Sequence, residues 1–159
     1  MKEVKIMWLW GNNKNKEPSE DYPTLSIDLE TVKKAVRAFA NQAPKGVTTR
    51  ILVKDDHSID FDLLKSFLKG VPDKAYYMSK ETYEIFEEKD KHIPYYLDMV
   101  QKAVDQYVQM YNKIPITQGD PYRKVSYLLL EKNSLLHERP NIDFYITDDE
   151  YLITHKKPK

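Results

Sequence analysis

The stretch Tyr95-Tyr96-Leu97-Asp98-Met99-Val100-Gln101-Lys102-Ala103-Val104-Asp105-Gln106-Tyr107-Val108-Gln109-Met110-Tyr111-Asn112 is the strongest periodic signal in the chain, and its reading decides the fold. Tyr96, Met99, Val100, Ala103, Val104, Tyr107, Val108 and Tyr111 recur at helical spacing. Asp98, Gln101, Lys102, Asp105, Gln106 and Gln109 fall between them. A period near 3.6 makes this an amphipathic helix, and Pro94 suits its first turn. The pattern places Val100, Ala103, Val104 and Tyr107 inside, and Asp98, Lys102, Asp105 and Gln109 in solvent.

Downstream, Ile114 to Gly119 reads as a turn. Asp120-Pro121 then opens a shorter helix from Tyr122 to Asn133, with Tyr122, Val125 and Leu129 inward, and a strand over 124–130 is the alternative. Ile142 to Thr147 and Tyr151 to His155 are rich in β-formers and flank Asp148-Asp149-Glu150, which predicts a terminal β-hairpin.

Upstream, Asp28 caps a helix carrying Leu29, Val32, Val36, Phe39 and Ala40 on one face. The β-branched run Val47 to Val53 reads as a strand. A helix with Phe61, Leu64, Phe67 and Leu68 follows, with Gly70 where a left-handed cap falls, and then a strand over Lys74 to Met78. Strand, helix and strand in so short a span predict a βαβ unit with a parallel, right-handed crossover. Ser79 is positioned to cap a further short helix from Glu81 to Glu88.

The expected class is therefore α+β, or a small α/β fold, around one mixed sheet. Residues 1–25 form an arm or linker, and 26–157 a single globular domain. Within the arm, Lys2-Glu3-Val4 back-translates as AAG-GAG-GTN, the complement of the end of bacterial 16S ribosomal RNA. Residues 1–6 thus read as a translated ribosome-binding site, with Met7 the natural start and a bacterial source.

Composition narrows the function. Lys+Arg and Asp+Glu are both 25, so the formal net charge is zero and no global attraction to nucleic acid exists. The acidic hairpin tip argues in the same direction, against a DNA-binding winged helix. Cys is absent, which excludes disulfides, thiol catalysis and thiolate metal sites. The four glycines, Gly11, Gly46, Gly70 and Gly119, lie too far apart for a phosphate-binding loop. No serine has a nucleophile-elbow context, and no two histidines share metal-binding helical spacing. No apolar run is long enough to span a bilayer. These features point to a soluble, cytoplasmic protein without a cofactor.

Two sets of residues are candidates for function. Asp55, Asp56, His57 and Asp60 crowd one acidic loop, where carboxylates either cap turns and helix starts or converge on a cation or small metabolite. Eleven of the twelve tyrosines follow residue 75. A tyrosine buries its ring and keeps its hydroxyl wet, which suits interfaces. Tyr76, Tyr77, Tyr145 and Tyr151, with Trp8 and Trp10 in the arm, are the interface candidates, and the two tryptophans also suit shallow membrane contact. The leading expectation is a non-enzymatic binding or regulatory module with a protein partner. The alternative is a small enzyme or metal- or metabolite-binding domain built on loop 55–62.

Overall fold

The structure, a computed structural model, describes residues 21–159. Trp8, Trp10 and the proposed start at Met7 lie outside the described residues. The elements are β1 (Thr24–Leu25), α1 (Leu29–Gln42), α2 (Lys65–Leu68), β2 (Val71–Pro72), β3 (Tyr76–Met78), β4 (Ile85–Glu87), α3 (Ile93–Tyr111), α4 (Tyr127–Lys132), β5 (Tyr145–Ile146) and β6 (Ile153–Thr154). Single turns of 3-10 helix lie at Thr49–Leu52, Phe61–Leu63 and Glu88–Asp90. The fold is α+β and ends in an antiparallel hairpin, β5–β6.

The two amphipathic helices form where their patterns place them. Asp28 accepts the Thr31 N–H at 2.8 Å and starts α1, whose Val32, Ala35, Val36 and Phe39 are buried. Helix α3 has Pro94 in its first turn and ends at Asn112 in a left-handed conformation. Val100, Ala103 and Val104 are buried, and Tyr107 is half-buried.

Among the described residues the core comprises two clusters, and β3–β4 lies between them. Strand side chains alternate faces. Tyr76, Met78 and Ile85 point to one cluster, with Val32, Phe39, Leu52 and Leu64. Tyr77 and Phe86, which face each other across the ladder, point to the other, with Leu97, Val104, Leu130 and Phe144. One short hairpin therefore supplies both cores.

Several local expectations give way. The run Val47 to Val53 is not a strand: Thr49–Leu52 coils into a 3-10 turn, and only Val53 bridges, to Ile59. The reason is the occupancy of β3, whose one edge pairs with β4 and whose other edge holds Ser58. No parallel partner can join it there, so the βαβ unit does not form. The parallel pair is instead β1–β2, with Thr24 opposite Val71. The single mixed sheet is likewise replaced by three separate two-stranded ladders among the described residues.

The helix expected over 61–70 splits into a 3-10 turn and α2, and the left-handed cap is Lys69 rather than Gly70. Gly70 has a different role. A Cβ there would lie 2.5 Å from Leu25 Cδ1 and 2.9 Å from the Pro23 carbonyl oxygen. The helix expected from Glu81 completes one turn before Tyr83 enters the left-handed region at φ 62, and Ile85–Glu87 then pairs with β3. Helix α4 starts at Tyr127, not Tyr122, because Lys124 bridges to Tyr145 and Val125 to Ile116. Tyr111, assigned to the apolar face of the long helix, is exposed.

Candidate functional site

The densest polar arrangement is built around Asp98, which the helical period places in solvent and the structure leaves only 6% exposed. It projects from the second turn of α3 into the loop joining β3 and β4. Its Oδ1 accepts the Ser79 hydroxyl at 2.5 Å and the Glu81 N–H at 3.2 Å. Its Oδ2 accepts the Lys80 N–H at 2.9 Å and the His57 ring Nε2–H at 2.8 Å. Ser79 Oγ in turn accepts the N–H groups of Glu81 and Thr82 at 3.1 and 2.9 Å. Asp98 and Ser79 together therefore cap the single turn 79–83, which closes with Tyr83 N–H on the Ser79 carbonyl at 3.1 Å. Arg50 adds an ion pair to Glu81 from outside.

This geometry defines what the cluster can do. In a nucleophilic triad the imidazole stands between hydroxyl and carboxylate, ready to take the hydroxyl proton. Here the carboxylate stands between them, and Ser79 is fully buried. Four donors fill the acceptor capacity of Asp98. The cluster anchors the β3–β4 loop to α3 and has no free lone pair on Asp98 to offer a substrate.

The acidic loop is a tight turn running from Val53 to Ile59. Lys54 N–H donates to the Ser58 carbonyl at 2.9 Å, and His57 sits at its tip in the left-handed region at φ 70. The Asp56 carboxylate takes the Ser58 N–H and hydroxyl at 2.9 and 2.5 Å, and these bonds hold its pKa below the ordinary 3.8. Asp60 accepts the Asp62 N–H at 3.1 Å and caps the following 3-10 turn. Asp55 is exposed. Of the four loop candidates, only His57 reaches the Asp98 cluster. Among the described residues no group of three or more His, Asp or Glu side chains is placed to hold a metal ion.

The tyrosine candidates separate sharply. Tyr76 is fully buried, its hydroxyl on the Ile27 carbonyl at 2.6 Å, and Tyr145 is 8% exposed. Neither can be a surface contact, because packing covers both rings. Tyr77 is half-buried, and its hydroxyl donates to Glu88 at 2.5 Å. That bond, with desolvation second, pushes its pKa up to about 12. Tyr151, at the hairpin tip, is exposed. Tyr83, not among the interface candidates, is exposed as well.

Sequence reasoning missed Asp98 because its neighbours at helical spacing are amphipathic in the ordinary way. The available signal was the pairing of Asp98 with Gln101 three residues on, a polar stripe along one edge of the apolar face. Gln101 is also buried, its Oε1 accepting the Ile153 N–H at 2.8 Å.

The family described as Protein of unknown function (DUF3939) matches residues 22–155. No curated protein and no solved structure matches the chain.

Proposed function

The chain belongs to the family described as Protein of unknown function (DUF3939), and from its geometry we propose a non-enzymatic module that binds a protein partner through exposed tyrosines. The observation that carries this reading is the backbone under Tyr83 and Tyr151. Both residues occupy the left-handed region, at φ 62, and both are exposed, by 38% and 46%. That conformation costs a residue with a Cβ about 1–2 kcal/mol and is the ordinary place for Gly or Asn. A main-chain bond anchors the first site and a side-chain amide the second. Tyr83 N–H is bonded to Ser79, and the Tyr151 carbonyl accepts from Gln101 at 3.2 Å. A tyrosine here trades local stability for a large ring in solvent, and such rings dominate protein interfaces. The setting we infer, a bacterial cytoplasm, rests on the amino-acid sequence alone.

The test is a Tyr83→Gly/Tyr151→Gly double variant. Glycine removes the strain together with the ring, so the melting temperature should hold or rise. A partner cross-linked to the wild-type protein in its source cells should be lost by the variant. Equal capture by both proteins overturns the reading.

A further inference from the structure

Between α1 and β4 lies a groove of about 300 Å³. Its floor is Val36 and Ile85, both buried, and its walls include Ala40, Thr49 and the ring-bearing edge at Tyr83. Two cations border it, Lys33 and Arg37, one turn apart on α1. Among the described residues Lys33 has only Glu30 as an ionic partner, at 3.4 Å, and an exposed pair of that kind holds its partner weakly. Among the described residues Arg37 has no ionic partner. Among the described residues the single carboxylate in the lining, Glu84, faces His155 at 3.6 Å and Lys156 at 3.9 Å. Among the described residues an apolar floor is thus bordered by one weakly paired cation, Lys33, and one without an ionic partner, Arg37, in a chain whose formal net charge is zero.

We propose that this groove binds an acidic segment of a partner protein. One aliphatic side chain would lie over Val36 and Ile85 beside the Tyr83 ring, with flanking carboxylates on Arg37 and Lys33. The proposal rests on the binding-module reading and gives it a site and a ligand chemistry. Two basic side chains above an apolar floor fit a peptide carboxylate pair better than a nucleic-acid backbone, whose affinity grows with the number of neutralised phosphates.

The probe is a synthetic peptide of about ten residues, one central Leu among Asp and Glu, titrated into isotope-labelled full-length protein and followed by NMR. Amide shifts should concentrate at Val36, Arg37, Ala40, Tyr83 and Ile85. A peptide with Ser for Leu, and one with Lys for its acids, should each bind at least about tenfold more weakly. Arg37→Glu should weaken the acidic peptide by a similar factor while leaving the spectrum of the free protein otherwise unchanged, since the side chain is exposed. Raising the salt from about 50 to about 500 mM should weaken binding further. Shifts elsewhere, equal binding of all three peptides, or an unaffected Arg37→Glu variant overturns the proposal. So does a duplex oligonucleotide that shifts the same residues at lower concentration. Concentration-dependent self-association that moves these residues without peptide assigns the groove to a second copy, whose acidic tip 148–152 would be the occupant, and also overturns it. If the peptide fails while Tyr151→Gly alone still abolishes capture of the partner, the groove falls and the module reading stands.

Discussion

Replacing Asp98 by Ala removes one side chain and strands three donors, namely Ser79 Oγ, His57 Nε2 and the Lys80 N–H, while the Glu81 N–H keeps Ser79 Oγ as its acceptor. Partly buried donors without acceptors are costly, so Asp98→Ala should lose about 2–4 kcal/mol in urea unfolding, and Asp98→Asn less, because one oxygen remains. A loss below about 0.5 kcal/mol, the range of neutral surface changes, would show that the cluster does not anchor the loop. Titration supplies two further residue-scale predictions. Tyr77 is raised from 10.0 to about 12, so its folded state favours the protonated phenol. Its contribution is complete below pH 10 and is lost as the pH rises through that value towards 12. Tyr77→Phe should flatten the alkaline limb of a stability–pH curve in that window. Asp56 works at the other end: its lowered pKa gives a contribution present above 3.8 and lost as the pH falls below it. Asp56→Asn should flatten the acid limb, and only slightly, since the group is exposed.

Helix α3 carries the second cluster, and Val104 at its centre is fully buried. Val104→Asp would place an unpaired charge among Leu97, Leu130 and Phe144, at a cost of several kcal/mol, and should prevent recovery of folded protein. Wild-type melting of that variant would mean that the helix presents another face. The β1–β2 pair has a different weak point. Gly70→Ala drives a methyl group into Leu25 and the Pro23 carbonyl, so β1 must shift. A loss of about 1–3 kcal/mol is expected, with faster amide exchange at Val71 and Asp73, whose N–H groups bond Pro23 and Leu25. Helices α1 and α3 were legible because each is long enough for a 3.6-residue period to repeat several times. The run Val47 to Val53 misled because β propensity describes fit to a pleated surface, not the presence of a free edge to join.

The molecule holds together through its middle. β3–β4 contributes Tyr76, Met78 and Ile85 to one cluster and Phe86 to the other, and Asp98 ties the loop of that hairpin to α3. Phe86→Ala should therefore cost about 3–5 kcal/mol and lower the stability of both clusters together. Amide exchange of Phe39 in α1 and of Val104 in α3 should accelerate in parallel. Acceleration at Val104 alone would show two independent folding units.

The amino-acid sequence by itself determined the α+β class, the two amphipathic helices, the Asp28 cap and the terminal hairpin. Each of these is set by neighbours within a few residues, through periodicity, capping and turn chemistry. It also confined the function, since no cysteine, glycine loop or histidine pair is present to support those chemistries. Which strands pair, and whether a polar residue is covered, are long-range questions, and the tertiary structure alone decided them. β3 filled both its edges with residues 57–59 and β4, and so the parallel crossover had nowhere to form. Asp98 became buried because a loop 17 to 19 positions earlier in the chain folded over it and supplied the donors it needed. Tyr76 and Tyr145 went inside while Tyr83 and Tyr151 stayed out, because a tyrosine's place is fixed by what packs against its ring.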